Sequence, residues 1–156
     1  MRGASRRVTV SYISTPFSMR MDDDTRETLV AHAERTGVIP SRLVNRYVKE
    51  GLRMDKHPSV IFTTTTLGRR AAVLAAHPGL QVIDVVGTWN AEGSDVAKTA
   101  RYLKLSADEV QAVLRYYADY KDEVDRDLQE HLDSQRNYKR VLAERETQAR
   151  RKVANG

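Results

Sequence analysis

The sequence predicts a mainly α chain in two parts. A β-α-α segment that folds only as a dimer comes first. A small helical domain with a short β-hairpin and a long C-terminal helix follows. Three observations predict this. One β-forming run, Val8 to Met21, is followed by two helical periodicities with cap residues at their ends. From Val60 onward, short apolar runs and helical stripes are separated by Gly, Pro and Ser. From Asp122 to about Lys152 no Pro or Gly interrupts the chain.

The strand is clearest at its end. Phe17, Met19 and Met21 alternate with Ser18 and Arg20, so the apolar and polar side chains point to opposite faces. Pro16 lacks an N–H and fits an edge or a strand start. Asp22, Asp23 and Asp24 suit a helix N-terminus, where a carboxylate caps free amides and meets the positive end of the dipole. A cation is an alternative ligand for them, and the helix start explains them more simply. The first helix runs from about Asp23 to Thr36, with Leu29 and Ala33 on its apolar line, joined by Thr25 and Val30, and Gly37 as its C-cap. After Val38, Ile39 and Pro40, Ser41 reads as the next N-cap. The second helix carries Leu43, Val44, Tyr47, Val48 and Leu52 at spacings of three and four. Arg42, Asn45, Arg46, Lys49 and Glu50 occupy its other face.

One strand and two helices do not make a core. Both strand edges stay unpaired, and so short a segment buries too little surface to offset its chain entropy. A second copy solves both problems: the strands pair as an antiparallel ribbon and four helices share one core. That core is expected to hold Phe17, Met19, Met21, Leu29, Leu43, Val44, Tyr47 and Val48.

Met54 to Ser59 reads as a polar connector and a domain boundary. Val60 to Phe62, continued by Thr63 to Thr66, forms a strand. Gly68 turns the chain, and Ala71 to Leu74 return. His77-Pro78-Gly79 is a loop. A helix with Val82, Val85, Val86 and Trp89 on one stripe ends near Gly93. Ser94 is expected to cap a helix carrying Val96, Ala97, Ala100 and Leu103. Ser106 and Glu109 form a capping box for a helix with Val110, Val113, Leu114 and Tyr117 on its apolar face. Two short helices and a tight turn make a helix-turn-helix-like unit, an arrangement that serves DNA readers and plain cores alike. Tyr116 and Tyr117 either stack on bases or pack under the last helix. Arg69 and Arg70 either touch phosphate or pair with acids of 122–127. The final helix has a sparse stripe of Val124, Leu128, Leu132, Val141 and Leu142, too thin to hold it in a core. It lies along a partner, crosses DNA, or frays.

The net charge of +5 is unevenly placed. Residues 1–20 carry Arg2, Arg6, Arg7 and Arg20 and no acid. Residues 134–156 carry seven basic residues against Glu144 and Glu146. The stretch between them is net acidic. Basic ends on an acidic middle point to a polyanion partner, nucleic acid before solvated tails. There is no cysteine, which removes thiol catalysis, disulfides and thiolate metal sites. The four histidines, His32, His57, His77 and His131, form no ligand pair at helical spacing. No phosphate-binding glycine loop or nucleophile motif is present. The expectation is therefore a non-enzyme with no cofactor and no metal. No run reaches the roughly 20 apolar residues of a membrane span, and no secretory signal opens the chain, so a cytoplasmic, nucleoid-associated protein without membrane contact is expected.

Pro16 to Arg53 resembles the ribbon-helix-helix family of the Arc, MetJ and CopG type. The strand ending in Arg-apolar, the acidic entry to the first helix, the Gly at its end and the Ser at the second helix carry the likeness. The resemblance implies a transcription regulator whose ribbon enters the major groove of double-stranded DNA. Ser18 and Arg20 become base readers, with Pro16 or Thr15 at the ribbon end. The amides at Ser41 and Arg42 become the phosphate anchor, and Arg2, Arg6 and Arg7 add phosphate or minor-groove contacts. The chain departs from the family in having Asp22 where Pro is common after the strand, Pro16 at a usually polar reading position, and Tyr47 at a usually small one.

His57 to Asp125 resembles a bacterial domain of unknown role associated with VapB-type antitoxins. Gly68-Arg69-Arg70-Ala71-Ala72, Val85-Val86 with Trp89, Leu103 with Leu105, and Tyr116-Tyr117 followed by Asp122 to Asp125 carry that likeness. It implies an autoregulating antitoxin that represses its own operon and covers a PIN-like nuclease toxin with a C-terminal segment. The division that follows is a basic arm (1–15), a dimerising and DNA-binding segment (16–54), a helical domain (57–125) and a basic C-terminal helix (126–156). Two other readings remain: a DNA-organising protein that coats the duplex, and a dimeric protein-interaction module without specific readout. Dimers are free to assemble further on DNA.

Overall fold

The structure is a computed structural model that describes residues 18–154, with side chains to residue 150. Among these residues the chain is mainly helical, with six helices and one two-stranded antiparallel sheet. The elements are α1 (Asp23–Thr36), α2 (Pro40–Lys56), β1 (Val60–Thr64), β2 (Arg70–Leu74), α3 (Val82–Ala91), α4 (Val96–Leu103), α5 (Ala107–Asp119) and α6 (Lys121–Ala154). Two compact units divide between Asn45 and Arg46, inside α2. The connector expected at 54–59 is helical as far as Lys56.

In the first unit, Asp22 caps α1 by accepting from the Thr25 amide at 2.8 Å. Gly37 ends it at φ +66°, a left-handed conformation that spares glycine the Cβ clash of other residues. Ser18 to Met21, the tail of the expected strand, join no strand. An unpaired strand has no ladder to belong to, and its expected partner is a second copy. The start of α2 corrects the reading of Ser41 as a cap. The helix begins at Pro40, with the Ile39 carbonyl accepting from Arg42 and Leu43 at 3.0 and 3.2 Å. Pro40 already holds the helical φ and has no amide to satisfy, which suits the first helical position.

The second unit has its own core. The hairpin register is Val60 with Leu74, Phe62 with Ala72 and Thr64 with Arg70. The first pair is buried and the second packs partly buried against the core. Five residues turn the hairpin, with Gly68 at φ +75° and its amide bonded to the Thr65 carbonyl at 2.9 Å. Val82, Val85 and Val86 of α3 meet Val110, Val113 and Tyr116 of α5 in the same core. Of the adjacent tyrosines, Tyr116 is thus the buried one. Tyr117 is half-buried and donates to Asp125 of α6 at 2.7 Å. Tyr116 is packed in the core and Tyr117 reaches the last helix, so neither stands free for bases.

Asp95, not Ser94, caps α4. It accepts from the Lys98 amide at 2.9 Å, while Ser94 takes a left-handed φ of 63°. The Ser106–Glu109 capping box of α5 is present in both directions. α6 docks by its first turns only: Val124 is buried, and Leu128 packs beside Gly87, where a Cβ would stand 3.2 Å from the leucine methyl. Beyond that point Leu132, Tyr138 and Leu142 are exposed. The distal helix is held by its own pairs, such as Arg136–Asp133 and Arg140–Glu144, each adding only about 0.2–0.5 kcal/mol.

Arg69 and Arg70 meet acids, but not those of 122–127. Arg69 pairs with Glu130 at 3.1 Å and Arg70 with Glu50 at 2.6 Å. No helix among the described residues is long and apolar enough to cross a membrane, and they contain no group of acids and histidines fit to hold a metal ion.

Candidate nucleic-acid interface

α2 is the element on which the candidate interface turns, because its two faces differ. Glu50 and Arg53 occupy one face, and both are tied into the second unit. Glu50 is buried and receives the Arg70 guanidinium in a fork of 2.6 to 3.2 Å. Arg53 forks onto Glu123 at 2.6 and 2.8 Å, reaches the Tyr116 hydroxyl at 3.3 Å and lies 4.1 Å over the Tyr120 ring. Charge-assisted forks of this kind fix orientation as well as add energy. They hold Glu123 below the ordinary carboxylate range. Next to them, Lys56 and His57 both reach Asp119, at 2.8 and 2.7 Å, and lower its pKa too.

The opposite face of α2 is apolar and open. Val44 is half-buried, Tyr47 and Val48 are 41% and 50% exposed, and Leu52 is 65% exposed. These residues stand at helical spacings of three and four, so they form one stripe. Arg46 lies over the Tyr47 ring at 5.0 Å. A helix with one face fixed by ion pairs and the other apolar and exposed has a surface that asks for cover.

Within the first unit, Ser18 and Arg20 are exposed just before α1. Met19 is 55% exposed, while Met21 and Leu29 are half-buried. Asp22 fixes the step into α1: the Thr25 amide and hydroxyl hold its carboxyl below the usual range, and the Arg26 guanidinium donates to the Met21 carbonyl at 3.4 Å. Ser41 and Arg42 are exposed in the first turn of α2, but the Arg42 amide is already donated to Ile39. Of the two amides read as a phosphate anchor, that one is engaged within the chain. Leu43 is fully buried inside the chain, so it stands apart from the exposed stripe. Thr15, Pro16, Phe17 and the arm residues Arg2, Arg6 and Arg7 lie outside the described residues.

From the sequence alone Leu52 belongs to the second helix and carries no role of its own. It continues the stripe four residues beyond Val48, a spacing visible in the sequence. The pairings of Arg53 with Glu123 and of Arg70 with Glu50 had no such local signal. No family model, curated protein or solved structure matches the chain.

Proposed function

We propose that this chain is a sequence-specific DNA-binding transcription regulator that works as a homodimer, pairing the residues before Asp22 into a two-stranded ribbon. The observation that carries the reading is the open apolar stripe of α2, with Val48 at its middle and Leu52 at its end, on a helix whose other face is already committed to ion pairs. A second copy supplies a matching stripe, as twofold pairing requires. The Asp22 cap and the Gly37 turn support a helix with defined ends directly behind the ribbon.

In this reading Ser18 and Arg20, exposed and directly ahead of α1, project from the ribbon into the major groove. Arg20 donates two hydrogen bonds to guanine O6 and N7, and Ser18 bonds an adjacent base edge. Ser41 and Arg42 lie along the backbone, and the arm adds sequence-blind phosphate contacts. The protein carries no catalytic step and no cofactor, and it acts in the cytoplasm on the nucleoid. The finer part of the proposal is that it is an autoregulating antitoxin. The exposed distal stretch of α6, with Leu132, Tyr138 and Leu142 open, supports a protein partner such as a PIN-like toxin there.

Footprinting on the region upstream of the protein's own coding sequence tests the proposal. The wild type is expected to protect one palindromic site. A bidentate Arg–guanine pair is worth about 1–3 kcal/mol and occurs twice per dimer, so Arg20→Ala is expected to weaken protection by about 30-fold or more. Equal protection by both proteins refutes the role of Arg20, and length-dependent, sequence-blind protection refutes a specific regulator in favour of a DNA-coating protein.

A further inference from the structure

The outer face of α4 presents charge that nothing so far uses. Lys98, Arg101 and Tyr102 stand at i, i+3 and i+4, so they share one side of the helix. Lys104 follows at the C-cap in the left-handed conformation. All four are exposed, Tyr102 at 71%. Among the described residues, no side-chain hydrogen bond or ion pair engages Lys98, Arg101 or Lys104. Four cations elsewhere in the same unit are committed: Arg53 to Glu123, Lys56 to Asp119, Arg69 to Glu130 and Arg70 to Glu50. The acid at the start of α4, Asp95, attracts Lys98 and Arg101 only at longer range, because its carboxylate is turned onto the Lys98 amide at 2.9 Å.

In a helix-turn-helix the second helix ordinarily reads the groove. Here that helix is α5, and its first turn carries Asp108 and Glu109. Those carboxylates would face the phosphates, so α5 is a poor reader. The cations are on the first helix instead. From Lys98 to Lys104 is six residues, about 9 Å of helix axis. One strand of duplex DNA carries a phosphate about every 3.4 Å of its axis, so that length meets two or three phosphates. A protein partner would seek an apolar centre poor in lysine, and this face offers only Tyr102 among charges. A positive, polar face is the usual form of a DNA contact.

We propose that the outer face of α4 is a second, sequence-blind contact for duplex DNA, in which Lys98, Arg101 and Lys104 grip successive phosphates and the Tyr102 hydroxyl donates to a phosphate oxygen. This extends the DNA-binding reading but does not depend on Arg20.

The test uses the full chain and fluorescence anisotropy between about 50 and 300 mM salt. The probes are a 30-base-pair duplex of the upstream region and a scrambled duplex of the same length. Each phosphate contact adds about 0.9 to the slope of log affinity against log salt. The double variant Lys98→Gln/Arg101→Gln is therefore expected to lower that slope by about 2 for each chain engaged. It should weaken both duplexes by the same factor, with an unchanged circular dichroism spectrum. Tyr102→Phe should weaken both more mildly. If the double variant keeps the wild-type slope while Arg20→Ala loses the upstream duplex, the α4 contact is overturned and the ribbon reading stands; a face kept for an acidic protein gives that same result. If the double variant loses binding and Arg20→Ala does not, α4 is upheld and the ribbon reading falls. If the wild type binds neither duplex at low salt, both fall.

Discussion

Replacing Val48 by aspartate strikes the open stripe of α2 at its middle. Burying a valine side chain fully is worth about 2 kcal/mol. Val48 keeps half of its surface exposed in the single chain, so about 1 kcal/mol remains for each copy to gain, or about 2 kcal/mol for a symmetric pair. Aspartate removes that gain and leaves two carboxylates desolvated in the interface without partners, at a cost of a few kcal/mol more. A total near 5 kcal/mol raises the dimer dissociation constant by between three and four powers of ten. Val48→Ala, which removes only part of the apolar surface, should raise it by about tenfold. Sedimentation equilibrium over nanomolar to hundred-micromolar concentrations measures both constants. Circular dichroism confirms that the helices persist, since the ion pairs of Glu50 and Arg53 on the other face of α2 are untouched. A Val48→Asp protein that dimerises as tightly as the wild type refutes the reasoning, because the stripe would then have no part in self-association.

Three further outcomes follow from the second unit. Arg53→Ala removes the fork onto Glu123 and the guanidinium over Tyr120, and urea unfolding should show a loss of about 2 kcal/mol; a loss under 0.5 kcal/mol would mean that the fork adds little. Glu123 and Asp119 both have folded-state pKa values below their ordinary ones, so the stability they contribute is complete above the ordinary carboxylate range and is lost as pH falls through their depressed values. The urea midpoint should accordingly fall between pH 5 and pH 2.5, and Glu123→Gln should flatten part of that fall. Val113→Ala empties a fully buried position in the core and should cost about 2–3 kcal/mol by the same assay, whereas a near-neutral result would mean that the core collapses around the gap.

The helices were legible where a side chain chooses its own backbone partner. Asp22 before Thr25, Gly37 after Thr36, and Ser106 before Glu109 each mark a helix end by local chemistry, and each stands where the sequence placed it. Gly68 marked the hairpin turn in the same way. The misplaced starts, Ser41 and Ser94, share one cause. In each case two neighbours were able to serve, and the backbone decided between them: Pro40 supplied a ready helical φ, and Asp95 put its carboxylate on the Lys98 amide. Long-range partners were not legible. Arg53 and Glu123 are 70 residues apart, and Arg70 chose Glu50 rather than the acids of the last helix because the hairpin sets it there. The two faces of α2 were only half legible, since the apolar spacing was plain and the ion pairs opposite it were not. The readers assigned from the family resemblance, Ser18 and Arg20, are exposed as a reader must be, and exposure does not distinguish a reader from any other surface residue.

The ribbon itself is open to a direct measurement, because the chain has no cysteine of its own. Single cysteines placed in turn at 16, 17, 18, 19 and 20 scan the proposed pairing. In an antiparallel ribbon the residues at the dyad face their own twins, and Cα atoms of a directly opposed pair lie about 4.5–5.5 Å apart, within the span of a disulfide. At micromolar protein and under mild oxidation, one or two adjacent positions should cross-link to a covalent dimer in high yield, while a cysteine at Thr147 should not. The cross-linked protein should still bind the upstream duplex. If none of the five positions cross-links above the Thr147 control, the two copies do not meet along this stretch, and the proposed ribbon is contradicted.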